Sequence, residues 1–326
     1  MSTEGSTKAV VAALAANLGI GVTKFGAWAL TGASSMLAEA IHSVADSGNQ
    51  ILLLVGARKA RKEATPDHPF GYSRYRYYFA FLVAVILFTL GGLFALYEAW
   101  HKFMHPEPIE SWHWVPVVVL LIAMGLEGAS FRTAVRESNK IRGTQSWPTF
   151  IRRSRSPELP VVLLEDFGAL IGLTFALFGV SMTLATGDGR WDAAGTAMIG
   201  VLLVCIALVL ARETREMLLG ESATEEDVAA IRGALAEAGY PDVIHLRTVH
   251  LGPEDILVTA KVGAGAHETL AAVSARTNDA EARIRAAVPA VRLIFIEPDV
   301  RRTGPLPADT PHGTGPDTPG GSTASA

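Results

Sequence analysis

Met36-Leu-Ala-Glu-Ala-Ile-His42-Ser-Val-Ala-Asp46 lies in the middle of a long apolar stretch, and the reading of these residues decides the fold. An ionisable side chain at the centre of a membrane helix costs about 2.5–3.5 kcal/mol even on the lenient insertion scale. A chain carries that cost where the group faces a bundle interior or an aqueous pathway. Positions four apart lie about 40° apart around a helix, so His42 and Asp46 share one face. One neutral imidazole and one carboxylate, a turn apart, make half of a tetrahedral zinc-type site. The alternative is a His–Asp hydrogen bond that merely neutralises itself between packed helices. A second acidic cluster deep in another apolar stretch counts against that alternative.

The rest of the composition agrees with a membrane chain. Of 326 residues, 49% are hydrophobic and 18% charged, with a mean hydropathy of +0.29. These values mark an integral membrane protein and not a soluble one with a large core. The net charge of −4 says little, because the charges are unevenly distributed. Cys205, the single cysteine, sits in an apolar run; it forms no disulfide within the chain and reads as a filler facing lipid or a helix. Residues 1–7 are polar and the first apolar segment is too long for a signal-peptide core, so no cleavable signal is expected.

Apolar segments of spanning length fall at about 9–30, 34–57, 77–101, 112–131, 160–186 and 193–211. The first holds Lys24, and the second and fifth hold acids, yet their flanks stay apolar for about 20 residues. Arg58, Lys59, Arg61, Lys62, Arg74 and Arg76 separate segments two and three; Arg132, Arg136, Lys140, Arg142, Arg152, Arg153 and Arg155 separate four and five. The opposite-side loops hold Lys102 and Arg190. The positive-inside rule then puts both termini in the cytoplasm, with Trp100, Trp112, Trp114 and Trp191 as an aromatic belt at the other face. A bacterial-type cell membrane is the expected location, the lipid bilayer is a partner, and no nucleic acid is expected.

After Leu219 the composition becomes that of a soluble domain. Thr224 reads as an N-cap with Asp227 in the capping-box position, opening a helix that runs to Gly239. Val243–Leu251 and Ile256–Val262 read as strands around the turn Gly252-Pro-Glu-Asp255, followed by a helix over His267–Val288 and a strand over Val291–Ile296. The expected architecture is therefore an all-α membrane bundle of six transmembrane helices (1–219) plus a small cytoplasmic α+β domain of order α-β-β-α-β (220–302), its helices on one face of an open sheet. Residues 303–326 are rich in Pro, Gly, Ser, Thr and Asp, and disorder is expected there.

Segment five carries Glu165 and Asp166 side by side. Adjacent helical residues diverge by about 100°, so the two cannot both point straight at one ion. One can bind while the other lines the access route or holds a proton; alternatively Glu165 neutralises Lys24. Glu127, in Met124-Gly-Leu-Glu-Gly-Ala-Ser130, is a third buried acid among small residues that let helices approach closely. It reads equally as a ligand, a proton carrier or a hydrogen-bond acceptor. Asn17 and Asn49 read as interhelical hydrogen-bonders. Glu39, one turn before His42, reads as its orienting partner or as a neutraliser of Lys24.

The ordered chain resembles the cation diffusion facilitators, a family of proton-coupled divalent metal exporters. The likeness rests on Thr31-Gly-Ala-Ser-Ser-Met-Leu-Ala-Glu-Ala-Ile-His-Ser-Val-Ala-Asp-Ser-Gly-Asn-Gln50 and His68-Pro-Phe-Gly-Tyr-Ser-Arg74. Ser43–Gln50, His105-Pro-Glu-Pro-Ile-Glu-Ser111, Glu127-Gly-Ala and Leu163-Leu-Glu-Asp166 are similar to the branch typified by the mitochondrial zinc transporter. The resemblance implies that helices two and five each supply two ligands, four residues apart, to one tetrahedral site. Carried over, His42, Asp46 and Asp166 are ligands, but the position four before Asp166 is Val162. Glu165, then Glu127, is the expected replacement.

The resemblance also implies auxiliary metal sites, and these are eroded. His68 is kept beside Asp67, but Thr65 and Tyr72 stand where relatives carry an Asp and a second His, so His68 is expected to cap or pack the loop. Ile244, Ala260, Phe295 and Glu297 occupy the places of the small domain's ligands, leaving His245 and His250 as surface candidates. That domain is expected to form a homodimer rather than sense metal. The implied activity exchanges a divalent cation, Zn²⁺ first, for protons, the two competing for one set of donors. No resident cofactor is implied. The alternative is an intramembrane metalloenzyme using the same ligands on water, although no His-Glu-x-x-His helix occurs.

Overall fold

The computed structural model describes residues 3–31, 34–106 and 114–300, the side chains at 3–5, 27, 28, 30–42, 45 and 153 excepted. Helices α1 (Thr3–Thr31) and α2 (Ser34–Ala60) pack against each other, and α2 also packs on α3 (Tyr75–Ile86). Helix α3 continues through a π-helical segment, Leu87–Leu93, into α4 (Phe94–Met104) as one long rod. Gly91 and Gly92, poor helix formers, lie in the π segment, which rests on α8 (Arg190–Leu219). Helix α5 (Trp114–Arg142), short α6 (Trp147–Arg153) and α7 (Glu158–Thr186) complete the bundle.

Among the described residues, five rods are long and apolar enough to cross a membrane: Ser6–Gly26, Tyr75–Met104, Trp114–Arg142, Glu158–Thr186 and Arg190–Leu219. The stretch expected as the second span forms α2, a continuous helix of 27 residues. Its polar residues, Glu39, His42, Asp46, Asn49 and Gln50 among them, lower its hydropathy. The core of the bundle gathers Val10, Ala13, Leu53, Ala80, Val83, Val162, Leu203 and Leu210. Tight crossing of α7 and α8 depends on two glycines: a Cβ on Gly179 would lie 2.9 Å from Trp191 O, and one on Gly195 2.8 Å from Phe175 O. Cys205 is exposed, as a lipid-facing residue should be. Trp100 and Trp114 are exposed on the rods, whereas Trp112 of the expected belt lies outside the described residues.

Helix α9 (Glu225–Glu237) starts where the sequence indicates, with Thr224 Oγ1 accepting from Asp227 N at 3.1 Å. Strands β1 (Val243–Gly252), β2 (Asp255–Gly263) and β3 (Val291–Asp299) form a sheet in that order, β1/β2 antiparallel and β2/β3 parallel. Helix α10 (Leu270–Ala287) supplies the crossover to the parallel strand. Along β2 burial alternates, and Ile256, Val258, Ala260 and Val262 face the core with Leu235, Ile231, Ala280 and Ile284. One face of the sheet is thus covered by helices, as expected.

This sheet unit is bolted to the bundle. Ser73, in the α2–α3 loop, donates to Asp255 at the β1–β2 turn, and Arg155 forms an ion pair with Glu221. His250 N donates to Glu221 O at 2.8 Å. A cavity of about 480 Å³ opens beside this joint, lined by ends of α1 and α2, the α2–α3 loop and the β1–β2 turn. Arg76, counted in the sequence as a loop charge, lies inside α3; it is buried and donates through Nη2 to Glu158 Oε2 at 2.8 Å.

Candidate metal centre

Four acids from three helices meet in the bundle. Asp46 comes from α2, Glu127 from α5, and Glu165 and Asp166 from α7; their charges act on one another across the cluster. Asp166 is 1% exposed and accepts a hydrogen bond from Ser130 Oγ at 2.6 Å. Ser130 lies one turn beyond Glu127 on α5, so one helix face presents both a carboxyl and a donor. Glu165 accepts from Asn49 Nδ2 at 3.2 Å and from Gln50 Nε2 at 2.9 Å. Gln50 Oε1 in turn accepts from Asn17 Nδ2 at 3.3 Å.

Several expectations resolve here. Asn17 and Asn49 are interhelical hydrogen-bonders, as the sequence suggests. Glu165 accepts from the amides of Asn49 and Gln50, and the charge of Lys24 acts on Glu127. His42 falls on α2, four positions before Asp46, but its side chain lies outside the described residues, as does that of Glu39. Val162 is fully buried in the apolar core and supplies no donor. Among the described residues, no three His, Cys, Asp or Glu side chains close into a group able to hold a metal. The acids are therefore neighbours that need further donors or a shift of helices to form a tetrahedral site. Gln50 ends the motif that carries the resemblance and Ser130 is a polar residue in an apolar helix, but neither signals its acid partner in the sequence.

The outlying candidates behave differently. His68 packs its loop: its ring stacks on Tyr72 at 4.5 Å between centroids, and Thr65 Oγ1 bonds Tyr72 Oη at 2.9 Å. The two positions that lack metal donors thus bond each other. In the sheet unit Ala260 is core, Phe295 is exposed, and Glu297 pairs with Lys261 at 3.0 Å. His245 is exposed. His250 is not the surface candidate the sequence suggested; it is 3% exposed, because β1 turns it inward at the joint, with Nδ1 facing Gly252 O at 3.2 Å.

The cation efflux transmembrane domain, as a family model, matches residues 10–219, which contain every residue of the acid cluster. The chain belongs to the cation efflux family. This cation efflux protein is 33% identical over 262 residues to the mitochondrial proton-coupled zinc antiporter SLC30A9 of Homo sapiens, covering 79% of the chain and 46% of that protein. It is 25% identical over 251 residues to the zinc transporter ZitB of Yersinia pestis, covering 77% of the chain and 74% of the relative. The chain thus spans about half the length of the SLC30A9 relatives it matches. The family and the apolar rods make it an integral membrane protein.

Proposed function

We propose that this cation efflux protein moves a divalent cation, zinc first, out of the cytoplasm in exchange for protons. The observation that carries the proposal is the convergence of Asp46, Glu127, Glu165 and Asp166 inside a bundle of membrane-length helices. Such acids are expensive in a membrane unless a cation or proton uses them. His42, Asp46 and Asp166 are the proposed ligands, with Glu165 and Glu127 supplying charge beside them. Metal and proton compete for the same donors, which couples their movements, and the bundle opens alternately to either side of the site. The named relatives, a proton-coupled zinc antiporter and a zinc transporter, support this reading. They give no support to the metalloenzyme alternative, and we set it aside.

Helix α2 is the sixth span in this proposal. At about 1.5 Å per residue its 27 residues exceed the roughly 30 Å hydrocarbon core. An even number of spans places both termini together, and the basic loops put them in the cytoplasm. The sheet unit then lies in the cytoplasm and pairs with a second copy; exposed Phe295 on β3 offers apolar surface for that contact. A bacterial-type cell membrane is the proposed location, and fractionation of cells carrying the tagged chain tests it.

Reconstitution into liposomes tests the central proposal. Zinc uptake should be faster with a pH gradient than without one, across a panel that includes Mn²⁺, Fe²⁺ and Co²⁺. No uptake of any of these ions by the folded protein would sink it.

A further inference from the structure

Asn49 Oδ1 is enclosed in the bundle, and among the described residues no hydrogen-bond donor reaches it. The residue is 2% exposed, so bulk water does not satisfy the oxygen either. An acceptor buried without a partner has lost its water and gained nothing in exchange, a penalty that natural chains retain where something else uses the atom.

Chemistry fixes which end of this amide is unsatisfied. Nδ2 donates to Glu165 Oε1 at 3.2 Å. Turning the amide over would set Oδ1 against a carboxylate oxygen, two acceptors face to face. The neighbouring relay has its polarity forced in the same way. An ionised Glu165 accepts only, so Gln50 presents Nε2 to it, turns Oε1 to Asn17, and takes a hydrogen bond from Asn17 Nδ2. Glu165 is left with each oxygen already engaged by one amide, whereas Asn49 keeps an oxygen with both lone pairs free.

Position completes the argument. Asn49 follows Asp46 by three residues on α2, which makes the two neighbours on one helix face. Its amide bridges to Glu165, and Asp46 and Glu165 act on each other's charge. A lone carbonyl oxygen among carboxylates gains nothing from them and is satisfied by a cation. Val162 leaves the proposed site one donor short on α7. We propose that Asn49 Oδ1 is a ligand of the transported cation and takes the place that Val162 cannot fill. The inference rests on reading Asp46 and Asp166 as cation ligands. A neutral oxygen donor makes the site harder than an imidazole would, and favours Mn²⁺ relative to Zn²⁺.

The test is competition binding of Zn²⁺ and Mn²⁺ to the full chain in detergent, with each metal alone as the probe. Asn49→Leu should weaken both metals by about 10-fold or more, the scale on which even outer-shell partners act. Asn49→His should restore zinc but not manganese, moving the Zn²⁺/Mn²⁺ affinity ratio by at least about 10-fold. Gln50→Met cuts the relay to Glu165 while leaving Oδ1 in place, and should leave that ratio within about 2-fold on the same scale. If Asn49→Leu folds poorly, the ratio in Asn49→His still decides. Unchanged ratio in Asn49→His, meaning that Oδ1 holds a buried water only, overturns the proposal. So does a Gln50→Met ratio shift equal to that of Asn49→His, because Asn49 would then act only through Glu165. Asp46→Ala separates the two levels: full metal affinity in that variant defeats the underlying site, whereas its loss beside unaffected Asn49 variants defeats only the ligand assignment.

Discussion

Asp166 is held by Ser130 Oγ at 2.6 Å, and Glu165 by two amides, so the acids of α7 are oriented by donors on α5 and α2. Asp46→Ala and Asp166→Ala remove proposed ligands and should abolish zinc movement in liposomes while the protein still inserts; normal transport by either removes the central proposal. Ser130→Ala should weaken zinc affinity by about 10-fold or more, because it frees the orientation of a ligand without deleting it. Equal affinity in a binding titration would show that Ser130 is incidental. Glu165→Gln has a sharper consequence. A glutamine side chain offers one acceptor oxygen where Glu165 serves two amide donors, so Asn49 or Gln50 must turn its amide over or lose its partner, at up to about 1–3 kcal/mol. Adding Lys24→Met should not restore stability, since Glu165 accepts its hydrogen bonds from the amides of Asn49 and Gln50. Recovery of the unfolding midpoint in the double variant would contradict this.

Helix α2 shows how far the sequence reached and where it stopped. Its apolar flanks mark a long helix, and the ionisable residues that lower its hydropathy are the ones that flag a functional site. The positions of Asp46, Glu127, Glu165 and Asp166 were legible because a carboxyl in an apolar helix is conspicuous on its own. Partnerships were not. Gln50 and Glu165 are separated by 115 positions and Ser130 and Asp166 by 36, so no local period connects them. The three strands of the small sheet could be read from alternation and turn chemistry, but not the parallel pairing of β3 with β2. The inward turn of His250 could not, because it depends on the joint with the bundle. At the α7–α8 crossing, Gly179 and Gly195 permit an approach that no larger residue allows. Gly195→Val should destabilise the bundle by about 1–3 kcal/mol through overpacking. Denaturant titration in detergent would show it, and an unchanged midpoint would mean the helices separate freely.

At the scale of the whole molecule, the bundle and the sheet unit meet through Ser73–Asp255, Arg155–Glu221 and the buried His250. Ile244, Ala260, Phe295 and Glu297 stand at the eroded ligand positions, so residues 221–302 should bind no stoichiometric zinc, and metal analysis of that fragment checks it. His250 gives the joint a pH dependence of definite sign. Burial holds its imidazole below the ordinary value near 6.5; the hydrogen bond to Gly252 O and the charges of Asp227 and Glu221 oppose the shift, and Arg155 adds to it. With Nδ1 donating to Gly252 O, Nε2 is an enclosed atom without a partner among the described residues, and a proton placed there finds no acceptor among them. Between the lowered value and 6.5 the unfolded chain therefore binds more protons than the folded one, and stability rises with pH across that window. The stabilisation is complete above about 6.5 and is lost as pH falls through the lowered value. The thermal midpoint of the full chain should drop more steeply from pH 7 to pH 5 than that of His250→Asn. The comparison is of slopes, because the substitution also changes packing. Parallel slopes would show that the imidazole takes up its proton as readily in the joint as in water, and that His250 contributes no pH sensitivity to the contact between the two units.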